Sequence, residues 1–230
     1  MRRHIFLLLL PALLFAQSAP EVELTAEPHH HLVFANDQVR VFHVDVPPHA
    51  DTLMHWHRHD YIYVMLGATE VINAIKGKDP VTVKLQDGQV GFLSASYAHV
   101  AQNQTGQAFH NVTIEILQDE KLRHSAAKWD EERGLNVLHG GTEEILFVKD
   151  GVRVTEFELQ PGGMVPKHHH AGPELVVSLT DYELRSDQEG KSPVAISTRT
   201  GESAWIPGGY THTLTNTGHT PAKFVTLEFP

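Results

Sequence analysis

Eighteen histidines stand in a chain of 230 residues that contains no cysteine. Neutral imidazole is the commonest side-chain ligand for transition metals, so this excess points first to metal chemistry. Two pairs have a useful spacing, His55 with His57 and His168 with His170. On a β-strand, residues two apart project from the same face, so each pair would point together. Glu174 keeps the parity of the second pair if the strand continues, although Pro173 suggests a local irregularity. A third imidazole from a distant strand, such as His212, would complete a shell of three histidines and one carboxylate with positions left open. A His-x-His pair is also common on solvated strands, so spacing alone leaves both readings standing. The missing cysteines exclude disulfides, thiolate zinc sites, iron–sulfur clusters and a cysteine nucleophile. A net charge of -10 argues against nucleic acid as a partner.

The elements that must carry these residues form a repeat. A shift of 113 residues lays residues 34–117 on residues 147–230 without a gap, and 22 of the 84 pairs are identical. His55, His57, Gly88, Tyr97, His99 and Asn103 fall on His168, His170, Gly201, Tyr210, His212 and Asn216. A period this long marks a duplicated domain rather than a solenoid. Each copy reads as β: residues 39–46 and 152–159 are short, Val-rich and partly alternating, with Pro- and Gly-bearing turns after them. The segments beginning at Tyr61 and Glu174 are apolar on both faces, as for a strand covered on two sides. Val64 and Leu66, repeated as Val177 and Leu179, suggest that the second cover is the other copy. The fold class is therefore all-β, with a small barrel or sandwich per copy.

Residues 1–19 carry Arg2 and Arg3, an apolar run from Ile5 to Phe15 and a small-residue exit, the pattern of a secretory signal. The run falls short of the ~20 residues that span a bilayer. The expectation is a periplasmic or secreted protein with no membrane span once the signal is removed. The domains expected are 29–118 and 142–230, joined by a polar linker at 119–141 in which residues 125–134 could form a turn or two of helix.

The second copy resembles the cupin superfamily, whose two motifs have the form G-x5-HxH-x3/4-E-x6-G and G-x5-PxG-x2-H-x3-N. Gly162, His168, His170 and Glu174 match the first, with Asp181 in place of its last glycine. Gly201, Pro207, Gly209, His212 and Asn216 match the second in full. The resemblance implies two tandem cupin jelly-roll barrels, a bicupin. It also implies a divalent transition metal, iron or manganese ahead of zinc, nickel or copper, on His168, His170, Glu174 and His212. The first copy departs from the pattern: Tyr61 stands at the Glu position, His49 at the opening glycine, and Ser94 and Ser96 at the Pro and Gly. Its candidates are His55, His57 and His99, and three readings remain. The site is a neutral three-histidine shell, or it takes a fourth ligand from His59 or Asp60, or it is a degenerate structural half.

Blander readings cover the rest. His29, His30 and His31 read as a solvated or loosely metal-scavenging tract, and His169 should point away from its neighbours. Glu115 and Glu228 read as outer-face charges ahead of pocket acids, Arg40 and Arg153 as members of structural ion pairs ahead of an anion clamp, and Phe92 and Trp205 as core. The function expected is a metal-dependent oxidoreductase of dioxygenase type acting on a small organic substrate. The alternatives are a decarboxylase or isomerase, or a non-catalytic metabolite-binding protein with a structural metal. No catalytic residue beyond the metal ligands is assigned, and homo-oligomerisation is left open.

Overall fold

The computed structural model describes residues 20–117, 134–149 and 151–230. The expected signal segment and residues 118–133 of the expected linker lie outside them. Residues 134–141, also expected as linker, instead begin strand β11 (Gly134–Lys149).

The first half carries ten strands: β1 (Val22–Glu23), β2 (His30–Ala35), β3 (Val39–Val46), β4 (His55–His57), β5 (Tyr61–Met65), β6 (Thr69–Ile75), β7 (Val81–Leu85), β8 (Val90–Leu93), β9 (Tyr97–Gln102) and β10 (Phe109–Ile116). They form two five-stranded sheets, ordered β1-β4-β9-β6-β7 and β2-β3-β10-β5-β8. After β11 the second half continues with β12 (Val152–His170), β13 (Glu174–Ser178), β14 (Tyr182–Gln188), β15 (Val194–Thr198), β16 (Ser203–Ile206), β17 (Tyr210–Asn216) and β18 (Ala222–Glu228). Its counterpart of β3 and β4 is one bent strand. The start of β12, residues 153–159, pairs with β18, and its end, residues 164–170, pairs with β17 across a register break. One continuous sheet thus rolls into the second barrel.

The halves pack back to back, and sequence parity explains how. Along β5 the inward residues are Tyr61, Tyr63 and Met65, which line a cavity, while Ile62 and Val64 face the other half. Along β13 the inward Glu174, Val176 and Ser178 likewise line a cavity, and Leu175 and Val177 face outward. The same alternation on β3, β10, β12 and β18 supplies Val39, Val41, Val112, Ile114, Val152, Val154, Val225 and Leu227 to one shared, buried layer. Strands covered on both faces read as near-continuous apolar runs for this reason. The contact is pseudo-symmetric: a Cβ added at Gly88 would meet Leu179, and one at the equivalent Gly201 would meet Leu66. Leu66 and Leu179 are themselves repeat partners, so the expected cover by the other copy is what the structure shows. Phe92 and Trp205 pack against the edge of this layer.

Two departures from the motif leave the backbone unchanged. His49 has φ 58° where Gly162 has φ 78°, and Ser96 has φ 74° where Gly209 has φ 83°. The turns therefore hold left-handed geometry with a side chain in place, at a cost of order 1–3 kcal/mol each. The motif asparagines also serve the fold. Asn103 Nδ2 donates to the carbonyls of Val46, Pro47 and Gln107, and Asn216 Nδ2 to those of Leu159 and Thr220.

Leu227 is fully enclosed in the shared layer, whereas Val137 on β11 is 84% exposed. Leu227→Ala should lower the unfolding free energy by about 2–5 kcal/mol in urea titrations. Val137→Ala should stay within about 0.5 kcal/mol of the parent.

Candidate metal centres

In the second half, β12 delivers His168 and His170, and β17 delivers His212 directly opposite His168 in the ladder. Their Nε2 atoms converge: 2.8 Å between His168 and His170, 3.0 Å between His168 and His212, and 3.2 Å between His170 and His212. Each ring is anchored from behind. His168 Nδ1 donates to the carbonyl of Pro166 (2.8 Å), and His212 Nδ1 hydrogen-bonds Ser186 Oγ (2.8 Å). His170 Nδ1 faces Glu228 Oε1 at 3.2 Å. A carbonyl or carboxylate can only accept, so the protons of His168 and His170 sit on Nδ1 and their Nε2 lone pairs face each other. That arrangement needs a cation between them, a shared proton or a metal. Metal–nitrogen bonds of about 2.1 Å meeting at right angles place ligand nitrogens about 3.0 Å apart, which these separations match.

Glu174 is held apart from the three nitrogens. Its Oε1 accepts a hydrogen bond from Tyr210 Oη (2.6 Å), and its Oε2 lies 3.6 Å from His170 Nδ1, on the side of the ring away from the cluster. It therefore groups with His170 and Glu228, not with His168 and His212. Burial, only partly offset by His170 and Tyr210, raises its pKa above the usual carboxylate range. Burial depresses His212 to about 4, with His168 and His170 adding to the effect, and it lowers His168 as well. Burial pulls His170 down too, but the Glu228 hydrogen bond and the Glu174 and Glu228 charges outweigh it, and its pKa is raised. His169 points away to Thr211, as its parity predicts.

The first half repeats the arrangement. His57 and His99 Nε2 are 3.1 Å apart, and His55 offers a nitrogen to the same cluster. His55 Nδ1 donates to the carbonyl of Leu53 (2.8 Å), and His99 Nδ1 to Asn73 Oδ1 (2.7 Å), the repeat partner of Ser186. His55 Nε2 is buried without a hydrogen-bond partner, an orphaned lone pair aimed at the cluster and a second fit to a cation. Tyr61 hydrogen-bonds Tyr97, and both rings stack on His57. Asp60 accepts from the Ala95 N–H (2.7 Å), and neither it nor His59 joins the three histidines. Burial first, and the neighbouring imidazoles second, depress His55 to about 4, His99 to about 3 and His57 further still.

The structure corrects three of the sequence expectations. Glu115 is not on an outer face: it is fully buried beside Arg40, whose Nη2 lies 2.7 Å away. Glu228 lines the second cavity and holds His170, with Arg153 Nε at 3.6 Å. Both glutamates share the inward parity of Thr113 and Thr226, the signal that could have placed them. His30 is not part of a solvated tract. It is buried against His55, ring centroids 4.7 Å apart, with Nδ1 2.6 Å from the buried Glu27.

The two cavities differ in size for a reason legible residue by residue. The second measures about 770 Å³ and the first about 200 Å³. Where β13 points Glu174, Val176 and Ser178 inward, β5 points Tyr61, Tyr63 and Met65, and the larger side chains fill the first barrel.

Residues 29–126 match the family model described as Cupin. A search of curated proteins finds no match. Among solved structures, a single-substitution variant of oxalate decarboxylase from Bacillus subtilis superposes with a TM-score of 0.62 at 11% identity, over 87% of this chain and 74% of that one. A Bacillus subtilis oxalate decarboxylase structure concerned with Mn(II) centres gives 0.61 at 11% identity, over 89% and 75%. The fold is that of a bicupin. A single cupin domain from Bordetella pertussis is 26% identical over 41% of this chain and 98% of its own, with a TM-score of 0.38. The bicupin arrangement accounts for both histidine clusters, one per barrel, each built from the strand pair at the same repeat position.

The depressed histidines set a pH dependence. Their folded pKa values lie below the ordinary 6.5. Between about 6.5 and 4 the unfolded chain therefore binds protons that the native chain does not, and stability is lost as pH falls through that window. Melting curves of metal-free protein should show this decline, and a His55→Asn, His99→Asn double variant should make it shallower.

Proposed function

We propose that the protein is a divalent-metal enzyme whose reaction takes place in the C-terminal barrel, on a small, neutral, largely apolar substrate carrying oxygen donors. The observation that carries this reading is that three imidazole Nε2 atoms converge in the more hollow of the two barrels. His168, His170 and His212 would hold the metal, and iron or manganese bound there would supply Lewis acidity and access to dioxygen. Oxygen-dependent oxidation is the reaction class we favour. Val176, Leu184, Ile196, Leu214 and Phe224 give the cavity apolar walls that take up an organic substrate and exclude water. Its charged groups are mostly acids, and the guanidinium among its described residues, Arg153, lies between Glu143 and Glu228. Such a lining disfavours a small dianion and suits a neutral molecule. In the N-terminal barrel the same histidine geometry stands in about 200 Å³, which supports a metal or structural site there rather than turnover.

Decarboxylation is the second reading, and Glu174 favours it. A carboxyl group whose pKa is raised by burial, on the cavity wall beside Tyr210, could deliver a proton to carbon after loss of carbon dioxide. Oxygen uptake and carbon dioxide release, measured in parallel on a substrate panel, separate the two.

Element-resolved metal analysis of the purified protein tests the common core of both. His168→Ala should remove the C-terminal equivalent and abolish turnover. His55→Ala should remove only the N-terminal equivalent and leave turnover within about twofold. Glu174→Gln should weaken metal binding far less than His168→Ala does, because its carboxylate lies outside the nitrogen cluster, and under the decarboxylation reading it should cut turnover by about 10²-fold or more. A metal-free wild type after reconstitution would overturn the reading.

A further inference from the structure

Among the described residues the sheet of the C-terminal barrel does not close on itself. Among the described residues β15 pairs only with β14, and β16 only with β13, so these strands are the two unpaired ends of the rolled sheet. They are joined by a short turn in which Glu202 N–H donates to the Arg199 carbonyl, and beyond that turn no ladder among the described strands closes the gap. Val194 and Ile196 on one strand, and Ala204 and Ile206 on the other, line the same cavity as the histidines. Ser197, Thr198 and Ser203 of the same strands line it too; backbone groups on adjacent edges pair when they come within reach, so two unpaired, partly apolar edges mark a slot.

The lining continues past the slot onto the other half of the molecule. Val33 and Phe34 of β2 contribute to this cavity, and Phe34 stacks on Trp205 of β16 with centroids 6.0 Å apart. Val33 and Val194 remain 47% and 48% exposed, an apolar rim at the surface. The relation is one-sided, because among the described residues the N-terminal cavity is lined from the N-terminal half alone.

We propose that small apolar molecules enter the C-terminal cavity through the slot between β15 and β16, past a rim that includes Val33 and Phe34. The N-terminal half thereby selects what reaches the C-terminal histidines. The inference uses the cavity of the proposed reaction but not its metal, so the two can fail separately.

Stopped-flow binding of 2-naphthol, a neutral fluorescent probe, to the metal-free full chain tests it. A Val33→Phe, Val194→Phe double variant narrows the rim. It should slow association and dissociation together by about tenfold while leaving Kd within about twofold, the signature of a gate. Phe34→Ala widens the rim and should speed both rates. Val81→Phe, at an exposed position on β7 of the other barrel, should change neither. Unchanged rates in the rim variants, a shift in Kd through dissociation alone, or no binding to the wild type would each overturn the proposal.

Discussion

One apolar layer, shared by two sheets, governs this molecule. Neither half can shelter both faces of its own inner sheet, because β3, β5 and β10 carry valine and isoleucine on the side away from their barrel, and β12, β13 and β18 carry valine and leucine there. Burial of such area is worth about 25 cal/mol per Å², and an exposed sheet of this kind would be a site of association. Pairing the copies back to back solves the problem within one chain. The consequence reaches the sites, since the strands whose outer residues form the layer present their inner residues to the cavities. Fixing the outer face of β13 fixes where Glu174, Val176 and Ser178 point.

With the backbone thus held in common, the two copies diverge through volume and charge. Both keep three inward imidazoles, with one Nδ1 on the carbonyl two residues back and another on a residue of the neighbouring strand. The first barrel then fills with two tyrosines and a methionine, and its glutamate is taken up by Arg40. The second stays hollow, and its glutamates flank His170. The scaffold for the nitrogens is the same in both copies, and of the two barrel interiors the second is the roomier place for an organic substrate. The filled copy still contributes, through the shared rim at β2.

Much of this was legible in the sequence. The 113-residue offset, the His-x-His pairs and the alternation of apolar residues are local patterns, and they carry the all-β class, the duplication and the residues whose nitrogens converge. Even the covering of both sheet faces can be read from Val64, Leu66, Val177 and Leu179, because parity is a property of the chain. Charge and cysteine count set the limits on chemistry in the same way.

What needed the tertiary structure were facts about what stands opposite each residue. Glu174 has the spacing of a ligand, but whether its carboxylate meets the nitrogens depends on Tyr210 from β17, which draws it to the far side of His170. Glu115 and Glu228 are repeat partners with different neighbours, one buried on Arg40 and the other facing His170. His30 reads as solvated because its partner, Glu27, becomes a buried acceptor only when the chain folds back over Leu53. Sequence determines which side chains share a face. Cavity volume and hydrogen-bond partners are sums over strands distant in the chain, and only the rolled barrel decides them.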